Sequence, residues 1–411
     1  MSEWKKVKLG EISQTIQTGP FGSQLHQSDY SVIGIPVVMP KDIIAGNIEE
    51  ASIARVEQHH IDRLFRHMIS YGDILYARRG DVGKCAFTKQ NQEGWLCGTG
   101  CLRVTINPDM ANPKFVFFQL QKQETIGWIT NHAIGSTMLN LNTTILSNAP
   151  VEIPSLRIQN RIVEILSRYD SLIENYQKQI KLLEEAAQRL YKEWFIDLRF
   201  PGHENTNIID GVPKGWTPSQ LGQLAEFKRG KTITKKDVID GDIPVVAGGL
   251  EPAYYCNKSN TAERVITISG SGANAGFTRM YFEKVWASDC SFVDVSVTPF
   301  LHFVYCYLKD NKTTIDNMQK GAAQPHVYAK DINSLSICIP IESVLKSFEG
   351  TATKYFDTIS SFQSQLRLLT EARDRLLPKL MSGELTLEAR AEKEDLLATP
   401  CKRGWEEDEA K

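Results

Sequence analysis

The feature that most constrains this chain is that its second half restates its first. Trp4 with Leu9-Gly10 corresponds to Trp216 with Leu221-Gly222, 212 positions later in both places. The run IPVV at Ile35–Val38 returns at Ile243–Val246, and ILYARRGDVG from Ile74 corresponds to ITISGSGANAG from Ile266. Gly135 then matches Gly321, Ile153-Pro154 matches Ile339-Pro340, and LLEEAAQRL from Leu182 matches LLTEARDRL from Leu368, all at an offset of 186. The offset shrinks early in each half and then holds constant. Loops therefore differ between the copies while a helical stretch keeps its length. Such a chain folds as two similar modules, each a globular domain followed by a long helix.

The helices carry the clearest periodicity. Apolar positions run Ile158, Ile162, Ile165, Tyr169, Leu172, Tyr176, Ile180, Leu183, Ala187, Leu190 and Trp194. Alternating spacings of 3 and 4 with one 4–4 step read as an a/d seam with a local stutter. The helix starts after Pro154 and stops before Pro201-Gly202, and Ile158 to Trp194 spans roughly 55 Å at about 1.5 Å per residue. A second seam runs Leu345, Phe348, Ala352, Tyr355, Ile359, Phe362, Leu366, Leu369, Arg373 and Leu376, interrupted only by Arg373. Pro378 is expected to kink or end it. Two such seams can bury each other as an antiparallel coiled coil. The alternative is two amphipathic helices, each lying on its own domain.

Between the helices, strand-like runs bounded by Gly, Pro or Asn (IPVVMP, DILYARRG, RVITISG, SLSICIP) alternate with short helical stretches such as KFVFFQLQKQ and LHFVYCYLKD. The expected fold class is mixed α/β. Globular domains are placed at residues 1–150 and 213–340, long helices at 151–200 and 341–383, a linker at 201–212, and an acidic, disordered tail at 384–411.

Composition excludes several classes. A 411-residue chain with 42% hydrophobic and 23% charged residues has ample material for two soluble cores. The start MSEWKKVKLGEI is no signal peptide and no run approaches a membrane span, so a cytoplasmic location is expected. The eight cysteines do not suggest a disulfide scaffold. Cys97 and Cys101, with Cys85 upstream, lack a second ligand pair at zinc-finger spacing, so buried thiols are the expectation and no metal site is assigned. Net charge is −2, but residues 1–150 hold 14 Lys+Arg against 13 Asp+Glu, and residues 213–338 hold 14 against 12. The globular parts are mildly basic, which by itself leaves nucleic-acid binding undecided.

Taken together, the Trp-x4-Leu-Gly openings, the glycine-turn strands, GSTMLNL and GAAQPHV before each Ile-Pro, and the phrases YKEWFIDLRFPG and LMSGEL closing the helices resemble a type I restriction–modification specificity subunit. The resemblance covers nearly all of residues 1–385. It implies that each globular unit is a target-recognition domain for one half of a split sequence in double-stranded DNA. It further implies that the helices act as a spacer and dock two methyltransferase subunits, which restriction/translocase subunits can join. S-adenosylmethionine would belong to the methyltransferase, with no cofactor on this chain. Two departures stand out: the acidic tail, and Pro325-His326 matched only by Leu139-Asn140. A type IIB-like specificity chain would share the architecture, and a coiled-coil adaptor that binds proteins instead of DNA is a different reading.

Candidate DNA contacts follow from side-chain chemistry. Arg78, Arg79 and Lys84 surround the glycine turn RRGDVGK, where arginine can fork onto guanine or clamp phosphate. Strand alternation points Arg78 and Arg79 to opposite faces. The corresponding turn offers Ser269, Ser271, Asn274 and Arg279. Its G-x-G-x-x-x-G spacing departs from the dinucleotide fingerprint, so a tight turn is expected. Lys228, Arg229, Lys231, Lys235 and Lys236 form the densest basic run and the best phosphate candidates. Gln324 and His326, with Tyr328, could read bases or fix the return into the helix. Tyr191, Trp194 and Phe195 are candidates for partner docking, with packing into the coiled coil as the alternative. The chain has no Walker motif, no Asn-Pro-Pro-aromatic run and no nuclease carboxylate cluster, so a non-catalytic recognition subunit is the expectation.

Overall fold

The computed structural model describes residues 4–135, 139–321 and 325–385. The chain divides into two compact units, one comprising Met1–Leu172 with Leu369–Lys411 and the other Ile173–Leu368.

In the first unit the strands Ser13–Thr18, Cys101–Ile106, Ile74–Ala77 and Cys85–Phe87 lie side by side in that order, every neighbour antiparallel. A second sheet holds Leu96–Cys97, Ile35–Val38, Ala54–Val56 and Tyr30–Ser31, with Leu96–Cys97 parallel to Ile35–Val38. Lys5–Lys8 pairs with Pro150–Ile153, bringing the start of the domain to its end. Helix Pro113–Leu120 starts where a helix should. Asn112 caps it, its side chain accepting from Lys114 N at 2.9 Å and Phe115 N at 3.2 Å, and proline occupies the first turn. Its Phe115 and Leu120 are buried with Tyr76, Leu102 and Val104 in one core, which also receives Ile162, Leu166, Leu380 and Met381 from the long helices.

The second unit repeats this order. Lys228–Arg229, Cys290–Asp294, Val265–Ser269 and Thr278–Tyr281 form the antiparallel sheet. Ile243–Val246 lies between Tyr254–Cys256, antiparallel, and Trp286–Ala287, parallel. Thr217–Gln220 pairs with Ser336–Ile339. Two buried cysteines report the same correspondence. Cys101 Sγ lies 3.4 Å from the Val38 carbonyl oxygen, and Cys290 Sγ lies 3.6 Å from that of Val246. The two α/β modules expected from the repeat are therefore observed, with the same four-stranded antiparallel sheet in each and a second sheet of four strands in one and three in the other.

The long helices run Leu156–Tyr191, closing in a π turn at Lys192–Ile196, and Glu342–Met381. The register of the first corrects the expected seam. Ile162, Leu166, Ile173, Ala187 and Trp194 are buried, whereas Leu172 is 46% exposed. With the half-buried Tyr169, Tyr176, Ile180, Leu183 and Leu190, the line keeps strict 4–3 steps from Ile162 to Trp194. The stutter disappears because Leu166 and Ile173 replace Ile165 and Leu172. The second seam follows its expected positions, joined by buried Phe356. Within the second unit, Tyr176 meets Phe362 at 5.0 Å between ring centroids and Trp194 meets Phe348 at 5.8 Å, so the helices pair antiparallel. In the first unit, Arg373 Nη1 lies 3.4 Å from Asp170 Oδ1, which accounts for the one charged seam position. Of the two outcomes expected at Pro378, a kink or an end, the second helix does not end there. It continues to Met381, since proline this near the terminus removes one hydrogen bond and leaves only a final turn to accommodate it.

The docking role expected for Tyr191, Trp194 and Phe195 is also corrected. Tyr191 and Trp194 are 3% and 9% exposed. Phe195 packs edge-on against Phe303 at 4.7 Å and Phe348 at 5.1 Å, and sits 5.9 Å from Trp216. Tyr191 and Trp194 are core of the second unit and Phe195 is half-buried against it, which is the packing alternative.

Seven cysteines are described, six of them buried and Cys338 half-buried. Desolvation pushes the thiols of Cys85, Cys97 and Cys290 up to about 12. Among the described residues no helix is long and apolar enough to cross a membrane.

Candidate nucleic-acid interface

Each module carries one strand end built by the same backbone hydrogen bonds. In the first, strand Ile74–Ala77 delivers Arg78, whose N–H donates to Gly100 O at 2.8 Å and whose carbonyl accepts from Leu141 N at 2.8 Å. Gly80 N donates to Leu139 O at 3.2 Å, and Arg79 bridges Asn140. In the second, strand Val265–Ser269 delivers Gly270, whose N–H donates to Asp289 O at 3.1 Å and whose carbonyl accepts from Val327 N at 3.1 Å. Gly272 N donates to Pro325 O at 3.0 Å, and Ser271 bridges His326. Gly80 and Gly272 sit at φ of 77° and 79°, a left-handed turn that favours glycine. The match of Pro325-His326 with Leu139-Asn140 is thus a true structural equivalence.

The shared frame presents unlike side chains. Arg78, Arg79 and Asn140 of the first module stand where the second has Gly270, Ser271 and His326. Arg79 is exposed, while Arg78 is half-buried with its guanidinium 5.9 Å from the centre of the Phe21 ring. Lys84 is exposed and paired with Asp81 at 3.2 Å. Sequence reasoning passed over Phe21, Thr99 and Asp289. Phe21, 54% exposed, was legible as an apolar residue within a Gly-Pro-Phe-Gly turn, but its proximity to Arg78 was not.

In the second module Arg229 Nη2 lies 3.7 Å from Asp289 Oδ1, and the Ser271 hydroxyl donates to Asp289 Oδ2. Arg229, Asp289, Ser291, His326 and Tyr328 border a recess, with the His326 and Tyr328 rings stacked at 6.0 Å. Lys228, Lys231, Lys235 and Lys236 are exposed on the strand Lys228–Arg229, which brings Arg229 to the recess, and on the segment that follows. The remaining turn residues are used internally. Ser269 is buried and its hydroxyl donates to Gly248 O at 3.1 Å. Asn274 Nδ2 donates to the same oxygen at 3.4 Å. Arg279 donates to Leu250 O at 2.8 Å and pairs with Glu251 at 3.2 Å. Ser269 is therefore corrected from a contact to a support of the turn, because a buried hydroxyl with its bond made inside cannot reach a ligand. Gln324 lies outside the described residues.

Close backbone approach holds both strand ends. A Cβ on Gly19 would fall 2.0 Å from Gly98 O, and one on Gly230 would fall 2.3 Å from Ser288 O. Only glycine lets the first strand of each sheet run this close to the segment entering its neighbour.

A sequence profile of the family described as type I restriction modification DNA specificity domain matches this chain twice, at residues 1–185 and 213–373. The type I restriction enzyme MjaIX specificity subunit of Methanocaldococcus jannaschii is 27% identical over 415 residues, covering 94% of each chain. The type I restriction enzyme HindI specificity subunit of Haemophilus influenzae is 21% identical over 473 residues, covering 94% of this chain and 100% of that one. Among solved structures, the type I restriction–modification S subunit from M. genitalium shares the fold at a TM-score of 0.61 and 18% identity, over 92% of this chain and 96% of that one.

Proposed function

The chain belongs to the type I restriction–modification DNA specificity family, with two copies of its domain, and on that premise we propose that it reads a split, asymmetric target in double-stranded DNA, one half-site per module. The observation that carries this reading is the duplicated strand end with unlike side chains, Arg78, Arg79 and Asn140 in one module against Gly270, Ser271 and His326 in the other. A common frame with different donors and acceptors is what reading two different half-sites requires, since base identity is read by side-chain hydrogen bonds at groove edges. Arg79, Lys84, Lys228, Lys231, Lys235 and Lys236 supply phosphate contacts that set position without selecting sequence. Arg229, Ser271, Asn274, Arg279 and His326 belong to the second module's interface, the middle ones chiefly by fixing its turn.

The chain itself performs no chemistry in this reading. Two methyltransferase subunits, carrying S-adenosylmethionine, modify adenine, and restriction/translocase subunits join them, all in the cytoplasm. The long helices serve as the spacer. At about 1.5 Å per residue their length is compatible with half-sites about one DNA turn, roughly 34–36 Å, apart.

The test is co-expression with the neighbouring methyltransferase in a methylation-free host, followed by mapping of methylated adenines. Two unlike half-sites with a fixed gap are expected. A soluble assembly that methylates no motif would remove the DNA reading and favour a protein adaptor.

A further inference from the structure

The two strand ends differ at one point by an exchange of charge. In the first module Arg78 N donates to Gly100 O, and in the second Gly270 N donates to Asp289 O. Arg78 therefore matches Gly270 and Gly100 matches Asp289, in step with the equivalent Cys101 and Cys290 beside them. The Asp289 carboxylate lies against the bare backbone of Gly270, where a Cβ would fall 3.3 Å from Asp289 Oδ1. Where the first module carries an arginine side chain, the second carries an aspartate from the segment entering Cys290–Asp294.

Asp289 is held in place and still open. The Ser271 hydroxyl donates to Oδ2, and Arg229 Nη2 stands 3.7 Å from Oδ1, at ion-pair distance but beyond a hydrogen bond. A carboxylate has about four acceptor positions. This one is 37% exposed and borders the recess it shares with Ser291, His326 and Tyr328, so acceptor capacity remains there. The nearby strand Lys228–Arg229 and the segment after it expose Lys228, Lys231, Lys235 and Lys236, which suit phosphate. Asp289 suits the opposite kind of group. A carboxylate is repelled by phosphate and by a base edge made of acceptors, and it is satisfied by a donor.

Resting on the DNA reading above, we infer that Asp289 determines specificity in the second module by accepting the exocyclic amino group of one base, cytosine N4 or adenine N6, in the major groove. Those two groups are the amino donors on that edge. Guanine presents N7 and O6 there and thymine presents O4, all acceptors, so the same carboxylate also rejects both. In the first module the matching residue is Gly100, so this readout is confined to one half-site.

The test uses the assembled complex with its methyltransferase and a duplex carrying the mapped target. Each cytosine is replaced singly by 2-pyrimidinone and each adenine by unsubstituted purine, analogues that lack the amino group. One base in one half-site is expected to become sensitive, with binding weakened on the order of ten-fold, and the analogue that reveals it tells cytosine from adenine. The Asp289→Ala complex should lose that one sensitivity alone. Asp289→Asn keeps the shape of the side chain, which covers a poorly folded alanine variant. Its amide can donate as well as accept, so discrimination against guanine at that base should fall on the order of ten-fold. Arg229→Ala should weaken binding to target and scrambled duplex alike and keep the discrimination. The inference is overturned, with DNA recognition intact, by Asp289 variants that keep both the sensitivity and the rejection of guanine. Arg229→Ala reproducing the relaxed specificity would overturn it too, since Asp289 would then act only by holding Arg229. A wild-type complex that cannot tell the target from a scrambled duplex would instead overturn the reading on which it rests.

Discussion

Single residues in this chain carry more than their type announces. His67 is 4% exposed, accepts from Arg66 Nε at 3.1 Å on Nε2, and faces the Thr18 carbonyl at 3.0 Å with Nδ1. Both contacts suit a neutral ring donating from Nδ1. Burial, reinforced by the Arg66 charge, holds its pKa below the ordinary 6.5. The unfolded chain therefore binds this proton more readily than the folded one, and stability is lost as pH falls through 6.5 toward the depressed value. Urea unfolding at pH 7.5 and 5.5 should show the first unit weakening at the lower pH, and His67→Gln should flatten that difference. An unchanged pH dependence in the variant would assign the effect elsewhere. Nothing in the sequence marks His67 apart from His59-His60. What distinguishes it is the wall of strand and turn around it.

At the scale of the element, the first long helix shows how a periodicity can be right and its register wrong. Ile165 and Leu172 are as apolar as Leu166 and Ile173, so the sequence admits two seams, one stuttered and one strict. Contact with the second helix chooses the strict one, leaving Leu172 46% and Ile173 8% exposed. Ile173→Ala should cost about 2 kcal/mol or more, as other buried aliphatic truncations do, whereas Leu172→Ala should stay within about 0.5 kcal/mol. Chemical denaturation of the two variants would distinguish the seams, and equal losses would restore the stutter. The same packing explains why Tyr191 and Trp194, which read plausibly as part of a docking patch, are core, with Phe195 half-buried against them. Their partners Phe303 and Phe348 lie more than a hundred residues away in sequence.

At the scale of the whole molecule, the proposal makes the helices a spacer, and that has a measurable consequence. Removing one heptad from each, Ile173–Gln179 and Ile359–Gln365, keeps both seams in phase. It shortens each helix by about 10 Å at roughly 1.5 Å per residue. With base pairs about 3.4 Å apart along the duplex, the gap in the methylated motif should shrink by about three base pairs while both half-sites stay unchanged. An unaltered gap in an active complex would separate the helices from the spacing.

The sequence by itself determined the duplication, the α/β character of both modules and the existence of two paired helices. Each of these is written in repeated order and in local periodicity, which burial along one face enforces. It also named the turns at Arg78 and Ser271, because glycine at a positive φ is a local requirement. Only the tertiary structure decided which arginine turns inward, that Ser269 is spent on the Gly248 carbonyl, and that Phe21 lies beside Arg78. Those outcomes depend on side chains that backbone pairing brings together from distant segments. No local pattern encodes a neighbour supplied by a strand or loop far along the chain.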